Sequence, residues 1–154
     1  MCIRDSLSVV NQLLAKGAQV NKTDDVGRTA LMEASSFGRY GVVKRLLEAG
    51  AEVNVADNQK MTALMLATLE GRVSVAKLLI DWKADVNASE AEGITSLMLA
   101  GNEGRTEIAR MLIEHGAKVN WQSKSGSTAL MEAASEGRTA VSYTHLTLPT
   151  ILLV

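Results

Sequence analysis

The chain has 154 residues, with 16 basic and 17 acidic side chains and a formal charge of -1. That is the size of one ordinary domain, and the balance gives no electrostatic reason to expect a nucleic acid or an anionic membrane as partner. Hydrophobic residues make up 47% and aromatic ones only 3%, so the core must rely on Ala, Leu, Val and Met, which suits closely packed small helices. A single cysteine excludes an internal disulfide framework, no apolar run reaches the ~20 residues of a membrane span, and the first residues lack a signal-peptide core. An intracellular setting is expected rather than a secreted one.

The elements repeat. Leu13, Leu46, Leu79 and Leu112 stand 33 residues apart, and so do Asn21, Asn54, Asn87 and Asn120. Thr29, Thr62, Thr95 and Thr128 keep the same step, followed in register by Leu31, Leu64, Leu97 and Leu130 and by Ala34, Ala67, Ala100 and Ala133. Gly38, Gly71, Gly104 and Gly137 complete the series, each succeeded by Arg. A period of this length marks a repeat protein.

Within one unit, Thr29 is placed to cap a short helix with its hydroxyl, and Leu31, Ala34 and Ser35 share one face of that helix. Gly38 ends it in a left-handed conformation. A second helix carries Val42, Val43, Leu46 and Leu47 as a broad apolar stripe, Gly50 closes it, and the segment AEVNVADNQK runs extended into a turn. Helices of two or three turns do not persist alone in water, so stability must come from stacking, with Ala34-type residues allowing close approach and Leu46-type residues filling the seam. Gly17, Gly50 and Gly116 end second helices where another unit has Lys83. If the backbone is left-handed there, Lys83 carries about 1–2 kcal/mol of strain.

The unit D-x-x-G-x-T-A-L-M-x-A-x-x-x-G-R, continued by V-V-K-x-L-L-x-x-G-A-x-V-N, resembles the ankyrin repeat at Gly27, Thr29, Leu31, Ala34, Gly38, Leu46, Gly50, Ala51, Val53 and Asn54. Where the family pattern reads T-P-L-H, this chain has Thr-Ala-Leu-Met in three units and Thr-Ser-Leu-Met in another. Ala tolerates the first helical turn that Pro favours. The resemblance spans about residues 7 to 140 and implies an all-α solenoid of helix-turn-helix units joined by β-turn loops. In this register residues 24–56, 57–89 and 90–122 are complete repeats, residues 7–23 supply only a second helix with its turn, and residues 123–140 only a first helix. Incomplete end units expose apolar faces, so some self-association is expected.

Both flanks leave the register. The Leu46 position falls on His145 and the Gly50 position on Pro149, which does not continue a helix. Met1–Ser6 back-translates to ATGTGTATAAGAGACAG plus one base, and the reverse complement of that string reads Val141 to His145. The DNA resembles the transposon mosaic end used in sequencing-library preparation, and the residues after His145 resemble adapter read-through. Met1–Ser6 and Val141–Thr150, with the tail to Val154, are therefore expected to be adapter-derived and to stand outside the helical stack. The repeats between them are then expected to be a fragment of a longer array, and trimming both flanks should leave stability nearly unchanged.

Little else suggests chemistry. His115 and His145 lack companions at metal-ligand spacing. Met32, Met65, Met98 and Met131 form a ladder better read as a core stripe than as a soft-metal site. No glycine-rich loop follows a strand, and Cys2 has no basic partner. No active site, metal or cofactor is expected.

The leading reading is a non-catalytic protein-interaction scaffold that binds a protein or peptide, and neither nucleic acid nor membrane, on a concave face. The ankyrin resemblance implies that turn tips and exposed sides of first helices grip the partner. Carried over by position, these are Asp25, Val26, Arg28, Ser36 and Phe37, then Asn58, Gln59, Met61, Leu69 and Glu70, then Ala91, Glu92, Ile94, Asn102 and Glu103. Phe37 holds a place filled by Glu70, Glu103 and Glu136 elsewhere, and a position that accepts both Phe and Glu is exposed. Tyr40 also flanks the Gly38 turn. Trp82 and Trp121 fit either a binding anchor or packing over a neighbouring repeat. The alternative function is a targeting arm of a larger enzyme or effector whose catalytic domain lies outside this segment.

Overall fold

A computed structural model describes residues 3–136. Met1, Cys2 and the whole segment Val141–Val154, including His145 and Pro149, lie outside the described residues, so the expectations placed on them do too. The chain divides into two compact units, which cover residues 3–84 and 85–136 of the described range. Among the described residues the regular structure is helical, apart from two isolated antiparallel bridges, Ala56 with Thr62 and Ser89 with Thr95.

The first unit contains α1 (Ile3–Ala15), α2 (Ala30–Ser36), α3 (Tyr40–Glu48), α4 (Ala63–Leu69) and α5 (Val73–Asp81). First helices α2 and α4 pack on each other, and each packs on its own second helix, α3 or α5; α3 in turn lies against α1 and α5. The second unit holds α6 (Ser96–Glu103), α7 (Thr106–Glu114) and α8 (Ala129–Ser135), with α6 against both of the others.

The threonines of the period cap the first helices as their spacing suggests. The hydroxyls of Thr29, Thr62, Thr95 and Thr128 accept the N–H groups of Met32, Met65, Met98 and Met131 at 3.3–3.4 Å. Each such cap is worth about 1 kcal/mol. In a seven-residue helix such as α2, with few internal hydrogen bonds, it fixes where the helix starts. The core is the stripe read from the sequence: Leu31, Met32, Val43, Leu47, Leu64, Met65, Leu79, Met98, Ile108 and Leu112 are almost fully buried.

The period also has a hydrogen-bonding reason at its asparagines. Asn21 donates to the Gly50 carbonyl (3.2 Å) and accepts from the Glu52 N–H (2.9 Å). In the second unit Asn87 does the same with Gly116 (3.1 Å) and Lys118 (2.8 Å). Each side chain thus satisfies backbone groups just beyond the next second helix, where they would otherwise lack partners.

Three expectations need correction. Ile3–Ser6 are not outside the helices: their backbone forms the first turn of α1, because once Leu7–Ala15 is helical, extending it backward costs little. Leu13 keeps the spacing of Leu46 but not its burial, being 55% exposed against 4%, since among the described residues no first helix is laid over α1. Met131 leaves the methionine stripe for the corresponding reason at α8. Lys83 does have left-handed backbone, with φ 68°, and Lys60 shares the strain at φ 62°, in the tip position held by Gly27, Gly93 and Gly126 elsewhere.

Candidate protein-binding surface

The turn tips are built on one acceptor side chain each. Asp24 Oδ1 accepts the N–H groups of Val26 and Arg28 at 3.0 and 2.9 Å, and Asp57 Oδ1 those of Gln59 and Met61 at 2.9 Å. Glu90 replaces aspartate in the second unit and reaches Glu92 and Ile94 at 2.9 Å, while Ser123 accepts from Ser127 at 3.2 Å. Short acceptor side chains holding the backbone two and four residues on are a standard means of closing a turn. Asp24 enters the sequence motif as its first residue, and acceptor side chains recurring at the repeat spacing in Asp57, Glu90 and Ser123 are the signal for this role.

Successive tips are tied together within each unit. The Asn58 N–H donates to the Val26 carbonyl (3.0 Å), and the Asn58 amide to the Asp25 carbonyl (3.2 Å). In the second unit the Lys124 N–H donates to the Glu92 carbonyl at 2.9 Å. Arg28 bridges Glu33 at 3.1 Å and Asp57 at 3.6 Å. The hydrogen bond Arg28 donates to Glu33, reinforced by the charges of Glu33 and Asp57, raises the Arg28 pKa above its already high range, so the guanidinium stays charged.

None of the residues carried over as partner contacts is buried. In the first unit Asp25, Val26, Phe37, Asn58, Gln59 and Glu70 are exposed, and Arg28, Ser36, Met61 and Leu69 are half-buried. In the second, Glu92 is exposed while Ala91, Ile94, Asn102 and Glu103 are half-buried. Phe37 is 61% exposed, as its exchange with glutamate implies, and Tyr40 beyond the Gly38 turn is exposed too. Arg28 and Asn58 have a second duty, because their polar groups already hold neighbouring tips in place. Glu92 lies 4.0 Å from Lys124, and Asn102 donates to Glu103 at 3.0 Å.

The two tryptophans part company. Trp121 is half-buried, donates its indole N–H to the Gly93 carbonyl at 3.0 Å and has the Lys118 ammonium 5.4 Å from its ring centre, so it packs over a neighbouring tip. Trp82, just past α5, is exposed. His115 bonds through Nδ1 to its own helix at the Met111 carbonyl, 2.8 Å away. Among the described residues no group of three or more His, Cys, Asp or Glu converges, and no helix is long and apolar enough to cross a membrane.

A family model described as Ankyrin repeats (3 copies) matches residues 1–90 and again residues 83–143. No curated protein matches the chain. Repeats of this family are generally protein–protein interaction modules.

Proposed function

The chain belongs to the ankyrin-repeat family, and from that premise we propose that residues 7–140 form a non-catalytic scaffold gripping a protein or peptide through turn tips and first helices. The observation that carries this reading is a division of labour along the period. Positions that recur build the caps, the tip closures and the buried stripe, whereas the positions carried over as partner contacts change from repeat to repeat and none of them is buried. Varied side chains on a hydrogen-bonded frame are pre-organised, which lowers the ordering cost of binding.

The first unit offers the stronger anchors. Phe37 and Val26 are exposed apolar groups, Leu69 and Met61 are half-buried, and Asp25 and Glu70 add negative charge. A partner presenting apolar side chains with some basic character fits this mixture, and the carboxylates oppose a polyanion. The test is to isolate a binding partner by affinity capture and measure its affinity for Phe37→Ala, Leu69→Ala and Lys77→Ala. Lys77 lies on second helix α5, exposed and paired at 4.0 Å with Asp81. Losses of about tenfold or more from the first two, with little change from Lys77→Ala, support the reading. Equal losses from all three, or a loss from Lys77→Ala alone, would refute it, provided each variant keeps its helical circular dichroism.

A further inference from the structure

The repeat register leaves two described helices without a neighbour that their counterparts have. α1 stands in the place of a second helix, and its Val9 and Leu13 are exposed where Val42 and Leu46 of α3 are buried. Val10, Leu13, Leu14, Val20, Ala30 and Leu46 line an apolar groove of about 110 Å³ there. Ala30 is itself exposed, although Ala63, Ser96 and Ala129 in the equivalent places are buried. α8 stands in the place of a first helix, and its Met131 is 56% exposed where Met32, Met65 and Met98 are at most 1%. Among the described residues, one open face is a second helix with no first helix over it, and the other is a first helix with no next repeat against it.

The bonds between successive repeats say which atoms would meet if these faces closed on each other. Asn21 and Asn87 each hold the carbonyl after the next second helix and the N–H two residues on. Asn120, next in the series, is exposed and has no hydrogen-bond partner among the described residues. Its place calls for the Gly17 carbonyl and the Gln19 N–H, both on exposed residues beyond α1. Arg72 Nε donates to the Ser36 carbonyl at 2.9 Å, and the same step carries exposed Arg39 to the Ser135 carbonyl, beside the opposite charge of Glu136. The tip bond from Asn58 to Val26 translates to one from the Asp25 N–H to the Ser125 carbonyl.

We propose that α8 of one copy of this chain docks on α1 and α2 of a second copy, so that two half repeats complete one unit between molecules. The occupant of the groove is thus a first helix of the sequence Ala129–Ser135, the kind of segment that already covers α3, α5 and α7. The two surfaces differ, so the contact is heterologous and propagates head to tail unless the rotation happens to close a ring.

Sedimentation of the full chain from micromolar to near-millimolar concentration, with two blocking variants, tests this. Leu13→Glu places a charge on the α1 face and Met131→Glu on the α8 face; both sites are exposed, so the fold should survive, as circular dichroism will check. The unmodified chain is expected to form dimers and larger species as concentration rises. Each variant alone should remain a monomer, and an equimolar mixture should give a one-to-one dimer and nothing larger, since each variant keeps the face the other has lost. Asn120→Ala, which removes only the bridging amide, should weaken association several-fold. A chain that stays monomeric throughout, its faces covered by its own residues or by water, would overturn the proposal. So would a blocked variant that associates with itself, or a mixture that does not pair.

Discussion

Helices α3 and α1 occupy the same place in their repeats, and their apolar residues are spaced alike, Val42, Val43, Leu46 and Leu47 against Val9, Val10, Leu13 and Leu14. α3 has α2 laid over it and α5 alongside, whereas α1 touches α3 but, among the described residues, carries no first helix of its own. Leu46 is consequently buried and Leu13 exposed. The repeat pattern gives each side chain a direction, and the neighbouring helix decides whether that direction is dry. A second comparison runs across the units at one register position. Thr68 on α4 donates its hydroxyl to the Leu64 carbonyl at 2.8 Å, Ser35 on α2 is buried with its hydroxyl unpartnered, and Gly101 on α6 has no side chain at all.

The largest expected effect separates the two helices directly. Leu46→Ala should cost about 2–5 kcal/mol by urea unfolding, because it opens a cavity in a closed seam. Leu13→Ala should cost about 1 kcal/mol or less in dilute solution, since its side chain has little burial to lose. Equal costs would mean that α1 is as well covered as α3.

Gly101→Ala comes next. A Cβ there would stand 2.8 Å from the Ala129 carbonyl oxygen, a backbone atom that cannot swing aside. Overpacking of this kind costs about 1–3 kcal/mol, against roughly 1 kcal/mol of helix propensity gained, so a net loss of up to about 2 kcal/mol is expected. A stabilised variant would show that α6 and α8 can separate freely.

Two kinds of substitution should raise stability. Lys83→Gly and Lys60→Gly each remove left-handed strain of about 1–2 kcal/mol while restoring some freedom to the unfolded chain, for a gain of about 1 kcal/mol read as a higher midpoint of unfolding. Ser35→Ala removes a buried hydroxyl without a partner and should gain about 1 kcal/mol or less. A loss at Ser35→Ala would reveal a hydrogen bond to ordered water.

Most of the fold was legible because the repeat samples each position several times. Threonine caps, glycine turns and the Leu and Met stripe recur often enough to be read without coordinates. The exposure of Phe37 was legible for the same reason, since glutamate fills its place in other repeats. What was not legible depended on neighbours or on the local bonding of single residues. Leu13 and Met131 carry the right residue on the wrong side of the last contact. Arg28 and Asn58 looked like free surface, yet they tie one tip to another, a role visible only when the tips are adjacent. Trp121 was ambiguous until its indole N–H found the Gly93 carbonyl. Lys60 escaped notice because the tip glycines are more loosely patterned than those ending the second helices.

Amide hydrogen exchange on the dilute monomer tests most directly whether the neighbour, rather than the sequence pattern, sets the burial. The amides of Val43 to Leu47 in α3 should exchange only through global unfolding, while those of Val10 to Leu14 in α1 should exchange through local opening, orders of magnitude faster. Equal protection of the two helices would contradict the account.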